Sequence, residues 1–369
     1  MSYSYWELKE WFTNIDFTIV GSGIVGLNCA LELQKKHPKA KILILEKGML
    51  PQGASTKNAG FACFGSLSEI IDDLKSHTEQ EVYNLVDKRW KGLKLLRKNL
   101  GDKNIDFQPN KGFELCESEA FFEECIAEKE TINQLLKPIF KEDVFSVCSN
   151  RFGFQKVHQQ YIVNNFEGQI DTGKMASELL KKVQALGVKI LNNISVESFV
   201  ENSSNINVKT NILDFYTEKL LIATNGFANK LLKENVQPAR AQVLITKPIK
   251  NLPIKGTFHL DKGYYYFRNI NNRILFGGGR NLDFKTEETL EFGETEIIQH
   301  QLEKILKETI FPNTNFEIEH RWSGIMGVGN QKKAIVKQLS NHVFCGVRLG
   351  GMGIAIGSLV GKELADLVN

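Results

Sequence analysis

A glycine pattern between two apolar runs near the start of the chain constrains the fold more than any other feature. Residues 16–20 (DFTIV) are apolar and rich in β-branched side chains, which predicts a buried strand. Glycines follow at G-x-G-x-x-G spacing over residues 21–26, and residues 27–36 have helical periodicity. A second apolar run over residues 41–45 ends in Glu46. Together these segments predict a βαβ unit whose glycine-rich turn binds a dinucleotide.

Each part of this unit has a physical role in dinucleotide binding. Gly21 permits the tight turn, Gly23 lets the backbone approach a pyrophosphate, and Gly26 lets the helix pack closely on the strand. The start of the helix offers unpaired N–H groups to the phosphates, and Glu46 accepts hydrogen bonds from a ribose. A tight turn without a ligand is the alternative interpretation. The candidate cofactor-binding residues of this unit are Gly21, Ser22, Gly23, Ile24, Val25, Gly26, Glu46 and Lys47.

Composition and charge argue against several other classes of protein. The chain of 369 residues has 46 basic and 43 acidic side chains and no basic run, so nucleic-acid binding is not expected. Its six cysteines form no C-x-x-C motif, and we predict no metal site. No apolar stretch is long enough to predict a membrane span. Polar residues interrupt the apolar core that a signal peptide needs in residues 1–17, so a cytoplasmic location is expected.

Five later segments carry a resemblance to a known family. They are PQGASTKNAGFACF (51–64), GQID (168–171), KILNNISV (189–196), ATNG (223–226) and GVRLGGMGIAIGSLVGKELADL (346–367). In this order they resemble the D-amino acid oxidase family of FAD-dependent oxidoreductases, which includes glycine oxidase, sarcosine oxidase and γ-glutamylputrescine oxidase. The resemblance implies that the dinucleotide is FAD. It adds the cofactor-binding candidates Ala54, Ser55, Asn58, Ala59, Gly60, Val196, Ala223, Thr224, Asn225, Gly226, Arg348, Gly350, Gly351, Met352, Gly353 and Ile354.

The glycines near the end of the chain also have a physical interpretation of their own. Gly350, Gly351 and Gly353 let the backbone pass close to a flat ring, and the helix that follows directs its positive end there. Tight packing of a helix on a strand is the alternative.

The resemblance implies the fold class and a division into two domains. The class is α/β (α+β overall), with an FAD-binding Rossmann-like domain of the glutathione-reductase type and a mixed-sheet substrate domain. Both domains are discontinuous in sequence. We predict that the FAD-binding domain comprises residues 1–76, 168–240 and 331–369, and that the substrate domain comprises residues 77–167 and 241–330. The substrate domain is expected to form a roof over the flavin, with the substrate between the two.

The implied activity is oxidation of the C–N bond of a primary or secondary amine or an amino acid. Hydride passes from the α-carbon of the substrate to flavin N5, water hydrolyses the imine, and the electrons leave to dioxygen or another acceptor. Tyr264 and Tyr266 alternate on one predicted strand face and are candidates for the substrate side, although aromatic residues at such spacing also occur in cores.

The chain departs from the family pattern at the residue expected to bind a substrate carboxylate. In the α-amino acid oxidases an arginine performs this role, and Met326 stands at its position here. A methionine cannot pair with a carboxylate. Arg280 and Arg348 are the candidate replacements, and Arg348 is favoured because it lies beside the C-terminal glycines.

Two other functions remain open at this stage. A relative that oxidises a 2-hydroxy acid needs a base for the hydroxyl group, and His259 or His320 is the candidate. The second alternative is a non-catalytic flavin-binding relative.

The sequence also predicts how FAD is attached and what reoxidises it. Sarcosine oxidases tether the flavin through a cysteine in the segment that matches residues 321–327. This chain has no cysteine between Cys148 and Cys345, so non-covalent FAD is expected. Leu275 stands where that branch has an oxygen-activating lysine, which favours an artificial or quinone-type acceptor.

Overall fold

Two eight-stranded sheets organise the computed structural model, which describes residues 3–368. The helices are α1 (Tyr5–Glu7), α2 (Ile24–Lys36), α3 (Leu67–Leu74), α4 (Glu79–Leu100), α5 (Glu119–Phe140), α6 (Thr172–Ala185), α7 (Glu296–Ile305) and α8 (Gly353–Asp366). The strands are β1 (Ile15–Val20), β2 (Ile42–Glu46), β3 (Phe61–Ala62), β4 (Gly112–Leu115), β5 (Phe145–Ser149), β6 (Gln160–Asn164), β7 (Gly168–Gln169), β8 (Lys189–Asn192), β9 (Val196–Glu201), β10 (Ile206–Thr210), β11 (Asp214–Ile222), β12 (Gln237–Thr246), β13 (Thr257–Leu260), β14 (Tyr265–Ile270), β15 (Arg273–Gly278), β16 (Ile318–Val328), β17 (Ile335–Gln338) and β18 (Val343–Val347).

The first sheet has a parallel centre that is buried on both faces. Its order is β17–β18–β11–β1–β2–β8, with the antiparallel pair β9 and β10 attached to β11. Strands β18, β11, β1, β2 and β8 are parallel, and helices α2, α4, α6 and α8 contribute to the core on one face. Because parallel strands end at the same edge, Gly21, Lys47, Ala223 and Arg348 follow their strands at one edge of this sheet.

The second sheet is mixed, and its two faces differ in chemistry. Its order is β16–β12–β15–β14–β13–β4–β6–β5, in which only β13 and β4 pair in parallel. One face packs against α7 and a cluster of aromatic side chains. On the other face, directly paired residues form a row across six strands: Trp322, Val243, Gly277, Tyr266, His259 and Glu114.

The predicted fold class is confirmed, and the segments of the glycine pattern lie where the sequence places them. β1 and β2 flank the glycine turn, and α2 begins three residues before the helical periodicity does. Helix α4 contacts the core of the first sheet near its end and a second apolar cluster near its start. The boundaries between the two domains stay a prediction. Among helices within residues 3–368, none combines the length and apolar character needed to cross a membrane.

Helices α4 and α8 cross at a glycine, and this contact gives a test of the packing. A Cβ on Gly92 would lie 2.0 Å from the carbonyl oxygen of Ala355. We expect Gly92→Ala to lower the free energy of unfolding by about 1–3 kcal/mol, because the helices must separate to accept the methyl group. Urea unfolding of the FAD-loaded protein measures the change. Gly173→Ala, in the first turn of α6, is the matched control and should not destabilise the protein, because its Cβ would meet only Asp171 Oδ1 at 3.3 Å.

Candidate active site

A cavity of about 890 Å³ lies between the carboxyl edge of the first sheet and the face of the second sheet that carries the row from Trp322 to Glu114. The cofactor candidates that line it are Gly21, Gly23, Ile24, Val25, Glu46, Lys47, Ala54, Ser55, Asn58, Ala59, Gly60, Val196, Ala223, Thr224, Asn225, Gly350, Gly351, Met352, Gly353 and Ile354. The substrate candidates Tyr264, Tyr266 and Arg280 line it as well. Ser22, Gly26, Gly226 and Arg348 are not among the lining residues.

The glycine turn and the acidic residue at the end of β2 form one hydrogen-bonded unit. Gly21 has a φ of +102°, a conformation that favours glycine, and a Cβ on Gly26 would lie 2.0 Å from the Gly21 carbonyl oxygen. Ser22 is fully buried and donates from its backbone N (3.0 Å) and its hydroxyl (2.8 Å) to Oε2 of Glu46. The Glu46 carboxylate also accepts from the backbone N of Gly48 at 3.0 Å. Ser22 therefore orients Glu46 and does not itself face the cavity.

The segment over residues 51–64 is held against the start of α2 and against the second sheet. Ser55 Oγ accepts a hydrogen bond from the backbone N of Ile24 at 2.9 Å, at the positive end of that helix. The buried guanidinium of Arg268 donates to the carbonyl oxygens of Gly60 (3.0 Å) and Ile170 (2.6 Å). Short strands β3 and β7 pair beside it. The two segments at 51–64 and 168–171 are thus neighbours in the fold.

The glycines before α8 form another part of the cavity wall, in which no side chain covers the backbone. Gly350 and Gly351 have φ values of +58° and +81°, and added Cβ atoms would meet nothing closer than 3.5 Å. No side chain caps the start of α8, so its first N–H groups are available beside the cavity. Asn225 Oδ1 accepts from the backbone N of Leu349 at 3.1 Å and fixes this turn. Gly226 packs on β16, where a Cβ would lie 2.4 Å from the Met326 carbonyl oxygen.

The structure does not bring Arg348 to the cavity, contrary to the sequence-based preference for this residue. Its guanidinium donates to the carbonyl oxygens of Lys333 (3.1 and 2.9 Å) and Asn235 (3.1 Å). Arg348 follows the last residue of β18 with a φ of +63° and is not among the residues that line the cavity. Arg348 therefore holds backbone segments together.

Aromatic residues and an arginine form the side of the cavity that the sequence predicts for the substrate. Tyr266 packs edge-on against Phe61, with ring centroids 5.5 Å apart, and burial raises the pKa of its phenol to about 12. Arg280 lies over the ring of Phe284 at 4.7 Å and donates no hydrogen bond to any residue from 3 to 368. Burial lowers the pKa of this half-buried guanidinium. A guanidinium stacked on a ring, with its N–H groups free, is suited to bind a carboxylate.

The irregular segment over residues 283–295 borders this side and is fixed by an ion pair. Glu287 is completely buried, and Arg240 donates to both of its oxygens at 2.9 and 2.8 Å. The segment also carries Phe284 and Phe292 on either side of the anchor, 45% and 40% exposed.

A buried histidine–carboxylate pair lies in the cavity wall. The sequence indicated its histidine only as the candidate base of the alternative function, oxidation of a 2-hydroxy acid. His259 lines the cavity, and its Nε2 lies 2.7 Å from Oε1 of Glu167. Burial lowers the pKa of His259, but the carboxylates of Glu167, Glu69 and Glu114 outweigh this effect and raise it to about 9. His320 is exposed, stacks on Trp322 and does not line the cavity. The sequence separates His259 from Glu167 by 92 residues, so no local motif joins them.

A cysteine also lies in the wall. Cys63 lines the cavity, and burial raises the pKa of its thiol well above the usual value. No three His, Cys, Asp or Glu side chains gather into a metal-binding group in the part of the chain that the structure describes.

The fold and the cavity define the class of protein: a dinucleotide-binding oxidoreductase with a second sheet over the cofactor site. The chain belongs to the DAO family, FAD dependent oxidoreductase, whose model matches residues 16–367. The probable oxidoreductase OrdL of Haemophilus influenzae is 21% identical over 371 residues, which cover 96% of this chain and 82% of that protein.

Solved structures share the fold along nearly the whole chain. L-proline dehydrogenase from P. horikoshii has a TM-score of 0.79 and 19% identity, with 96% of this chain and 93% of that chain covered. Glycine oxidase from Geobacillus kaustophilus has a TM-score of 0.77 and 19% identity, with 96% and 94% covered. The family establishes FAD as the cofactor, as the sequence predicts.

The cavity has the features that FAD requires. Two helix starts face it whose N-cap residues, Gly23 and Met352, provide no side-chain cap, although Ser55 accepts from one N–H of α2. The glycine backbone at residues 350–351 is open to a flat ring. Glu46 supplies a buried carboxylate at the end of β2. The volume lies within the range typical of cofactor sites, about 300–1,000 Å³.

A bulky side chain at the glycine turn tests the cofactor site. We expect Gly23→Val to abolish FAD retention, because its Cβ would lie 2.9 Å from Ser55 Oγ, where the backbone must approach the pyrophosphate. The absorbance ratio of flavin to protein after gel filtration measures retention. Gly173→Val at the start of α6 is the matched control and should keep its FAD. A yellow, saturated Gly23→Val protein would show that the phosphates bind elsewhere.

Proposed function

We propose that this protein oxidises the C–N bond of a primary or secondary amine or an amino acid. The observation that carries the proposal is the single cavity, which joins the dinucleotide wall to a substrate wall containing Tyr264, Tyr266 and Arg280. The names of the structural relatives support it, since glycine and L-proline are amino acids. The twenty cofactor candidates that line the cavity are the proposed contacts of FAD, and Ser22 and Gly26 are proposed to support them from behind.

Bound FAD supplies a hydride acceptor at N5. The residues of this chain position the substrate and exclude water. Tyr266 of the second sheet and Phe61 of β3 line the cavity and pack edge-on, so their rings keep the reacting carbon in an apolar environment. The start of α8 directs its positive end toward the glycine wall, where it stabilises negative charge that develops on a bound ring. Hydride leaves the α-carbon with its electron pair, the nitrogen lone pair forms the C=N bond, and water hydrolyses the imine.

The direct test is reduction of the bound FAD by a panel of compounds without oxygen. We expect amines or amino acids to bleach the visible absorbance of the oxidised flavin, and 2-hydroxy acids to leave it unchanged. Bleaching by 2-hydroxy acids alone would establish the alternative oxidation of a C–OH bond. A flavin that no compound reduces, although dithionite does, would indicate a non-catalytic flavin-binding protein. Turnover with a dye, a quinone and dioxygen in parallel identifies the electron acceptor. We propose an artificial or quinone-type acceptor, because Leu275 has no positive charge with which to activate dioxygen.

FAD attachment is a separate prediction. We expect acid precipitation to leave all of the flavin in the supernatant. The cysteine in the cavity wall, Cys63, is held as a neutral thiol by burial, and the thiolate is the nucleophilic form. Flavin that stays with the pellet would contradict this expectation, and its loss from the pellet in Cys63→Ala would then identify the attachment point.

Arg280 is the proposed anchor for a substrate carboxylate. We expect Arg280→Gln to raise KM for an amino acid far more than for the matching amine without a carboxylate, because a charge-assisted pair of about 2–4 kcal/mol is lost. That energy corresponds to a KM ratio of about 30-fold or more. Arg273→Gln is the matched control, since Arg273 lies at the start of β15, the strand that precedes Arg280, but pairs with Glu319 at the surface. An equal rise for both substrates would show that Arg280 does not contact the carboxylate.

The domain boundaries given above and a cytoplasmic location are also proposals. The free cysteines support a reducing environment, since five of the six are buried as thiols.

A further inference from the structure

The pair of His259 and Glu167 has a fixed geometry. Glu167 has no exposed side-chain surface, and its Oε1 accepts from Thr257 Oγ1 (2.7 Å) and lies 2.7 Å from His259 Nε2. Its other oxygen lies over Gly112, where a Cβ would come within 2.3 Å. The carboxylate therefore cannot shift toward β4, and any bulkier residue than glycine at position 112 would displace it.

This geometry determines which ring nitrogen of His259 is basic. A carboxylate accepts hydrogen bonds, so the nitrogen beside it, Nε2, carries a proton. The second nitrogen, Nδ1, makes no hydrogen bond within residues 3–368, and the ring as a whole lines the cavity. Nδ1 is thus the atom through which His259 gains or loses a proton. Phe61 packs edge-on against the ring at 5.3 Å and limits its rotation.

The surroundings of this ring are acidic. Glu114 is the direct cross-strand neighbour of His259 and accepts from the hydroxyl of Ser66 at 2.9 Å and from Ser68. Burial raises the pKa of the Glu114 carboxyl group. The titratable groups facing the ring are Glu114 from β4, Glu167 from the turn after β6, Glu69 from α3, Tyr266 from β14 and Cys63 from the segment after β3.

The oxidation of an amine creates a need for such a group. An ammonium ion cannot form a C=N bond because its nitrogen has no free electron pair, so one proton must leave before hydride does. Proton transfer is efficient when donor and acceptor have similar pKa values. Amino groups titrate between about 8 and about 10.4, whereas a hydroxyl group is far less acidic. The pKa of about 9 at His259 therefore matches an ammonium donor.

We propose that His259 accepts, at Nδ1, the proton of the substrate's ammonium group, and that Glu167 positions the ring for this transfer. The proposal rests on the proposed function. In the step, one N–H bond of the ammonium ion breaks and its electron pair stays on nitrogen, while the proton bonds to Nδ1. The neutral amine then releases hydride to FAD. His259 is a catalytic base in this scheme, and Glu167 is a positioning residue.

The test is the rate of flavin reduction in the FAD-loaded enzyme, without oxygen, from about pH 6 to about pH 10.5. In the wild type we expect the second-order rate constant for flavin reduction by an alkylamine to rise with pH and level off above about 9, where His259 is neutral. His259→Gln should reduce the rate at pH 8 by on the order of 10²–10⁴-fold. The exposed His320→Gln is the matched control and should keep the wild-type profile.

A second substrate separates the loss of a base from a merely structural defect. A fluorinated congener of the same amine is already neutral at the assay pH and needs no base. We expect the ratio of wild-type to His259→Gln rates to fall by at least tenfold with this congener, and added imidazole to restore His259→Ala with the alkylamine. Equal ratios for both amines, or an unchanged pH profile in His259→Gln, would overturn the proposal. A wild-type enzyme that no amine reduces would instead overturn the proposed function.

The positioning role has its own readout. In Glu167→Gln the ring loses its negative neighbour, so the midpoint of the pH profile should fall below that of the wild type. NMR of histidine-labelled protein follows the same titration without turnover. If His259→Gln does not retain FAD, the titration of His259 in Glu167→Gln tests the proposal instead. A midpoint and an NMR titration that Glu167→Gln leaves unchanged would refute the role of the pair.

Discussion

The contact between Gly26 and the carbonyl oxygen of Gly21 sets the geometry of the cofactor side. Helix α2 lies this close to the turn only because residue 26 has no side chain, since a Cβ would come within 2.0 Å of that oxygen. The same approach brings the start of the helix to Ser55. It also places the backbone and hydroxyl of Ser22 on Glu46. The turn, the helix dipole and the acidic residue are thus three consequences of one close approach.

A second interaction joins the cofactor side to the substrate side. Arg268 lies on β14, two residues after Tyr266, and its buried guanidinium binds the carbonyl oxygens of Gly60 and Ile170. Burial lowers the pKa of Arg268 to about 10, and its Nε has no partner in the described chain. The strand that carries Tyr266 is therefore fixed to the segment over residues 51–64, which is proposed to border the flavin. Two backbone carbonyls define the distance between β14 and the segments that contain them, so this distance depends little on the identity of the surrounding side chains.

The sequence predicts those parts of the site that depend on neighbouring residues. The glycine turn, Glu46 and the segment at 51–64 are local patterns, and each lines the cavity or supports its wall. Arg348 shows where this reasoning fails, because the carbonyl oxygens of Lys333 and Asn235 bind its guanidinium. These partners lie 15 and 113 residues away in the sequence, so no local pattern predicts the contacts.

Pairs of residues that lie far apart in the sequence cannot be predicted from it, for a different reason. His259 lies on β13 and Glu167 in the turn after β6. Arg240 lies on β12, whereas Glu287 lies in an irregular segment. Each partner alone is an ordinary polar residue in the sequence. Only the register of β13, β14 and β4 shows that His259 shares a face with Tyr266 and Glu114.

The buried pair of Arg240 and Glu287 divides the border of the cavity into two independent parts. Breaking such a pair from one side costs about 3–5 kcal/mol, so the segment over residues 283–295 cannot swing away as one flap. Phe284, before Glu287, packs against Tyr264 and Arg280, whereas Phe292, after it, packs against Phe227. These three partners line the cavity, although no residue of the segment itself does. Substitutions before the anchor therefore act on the proposed substrate wall, those after it act on the wall at Phe227, and related proteins can vary the two separately.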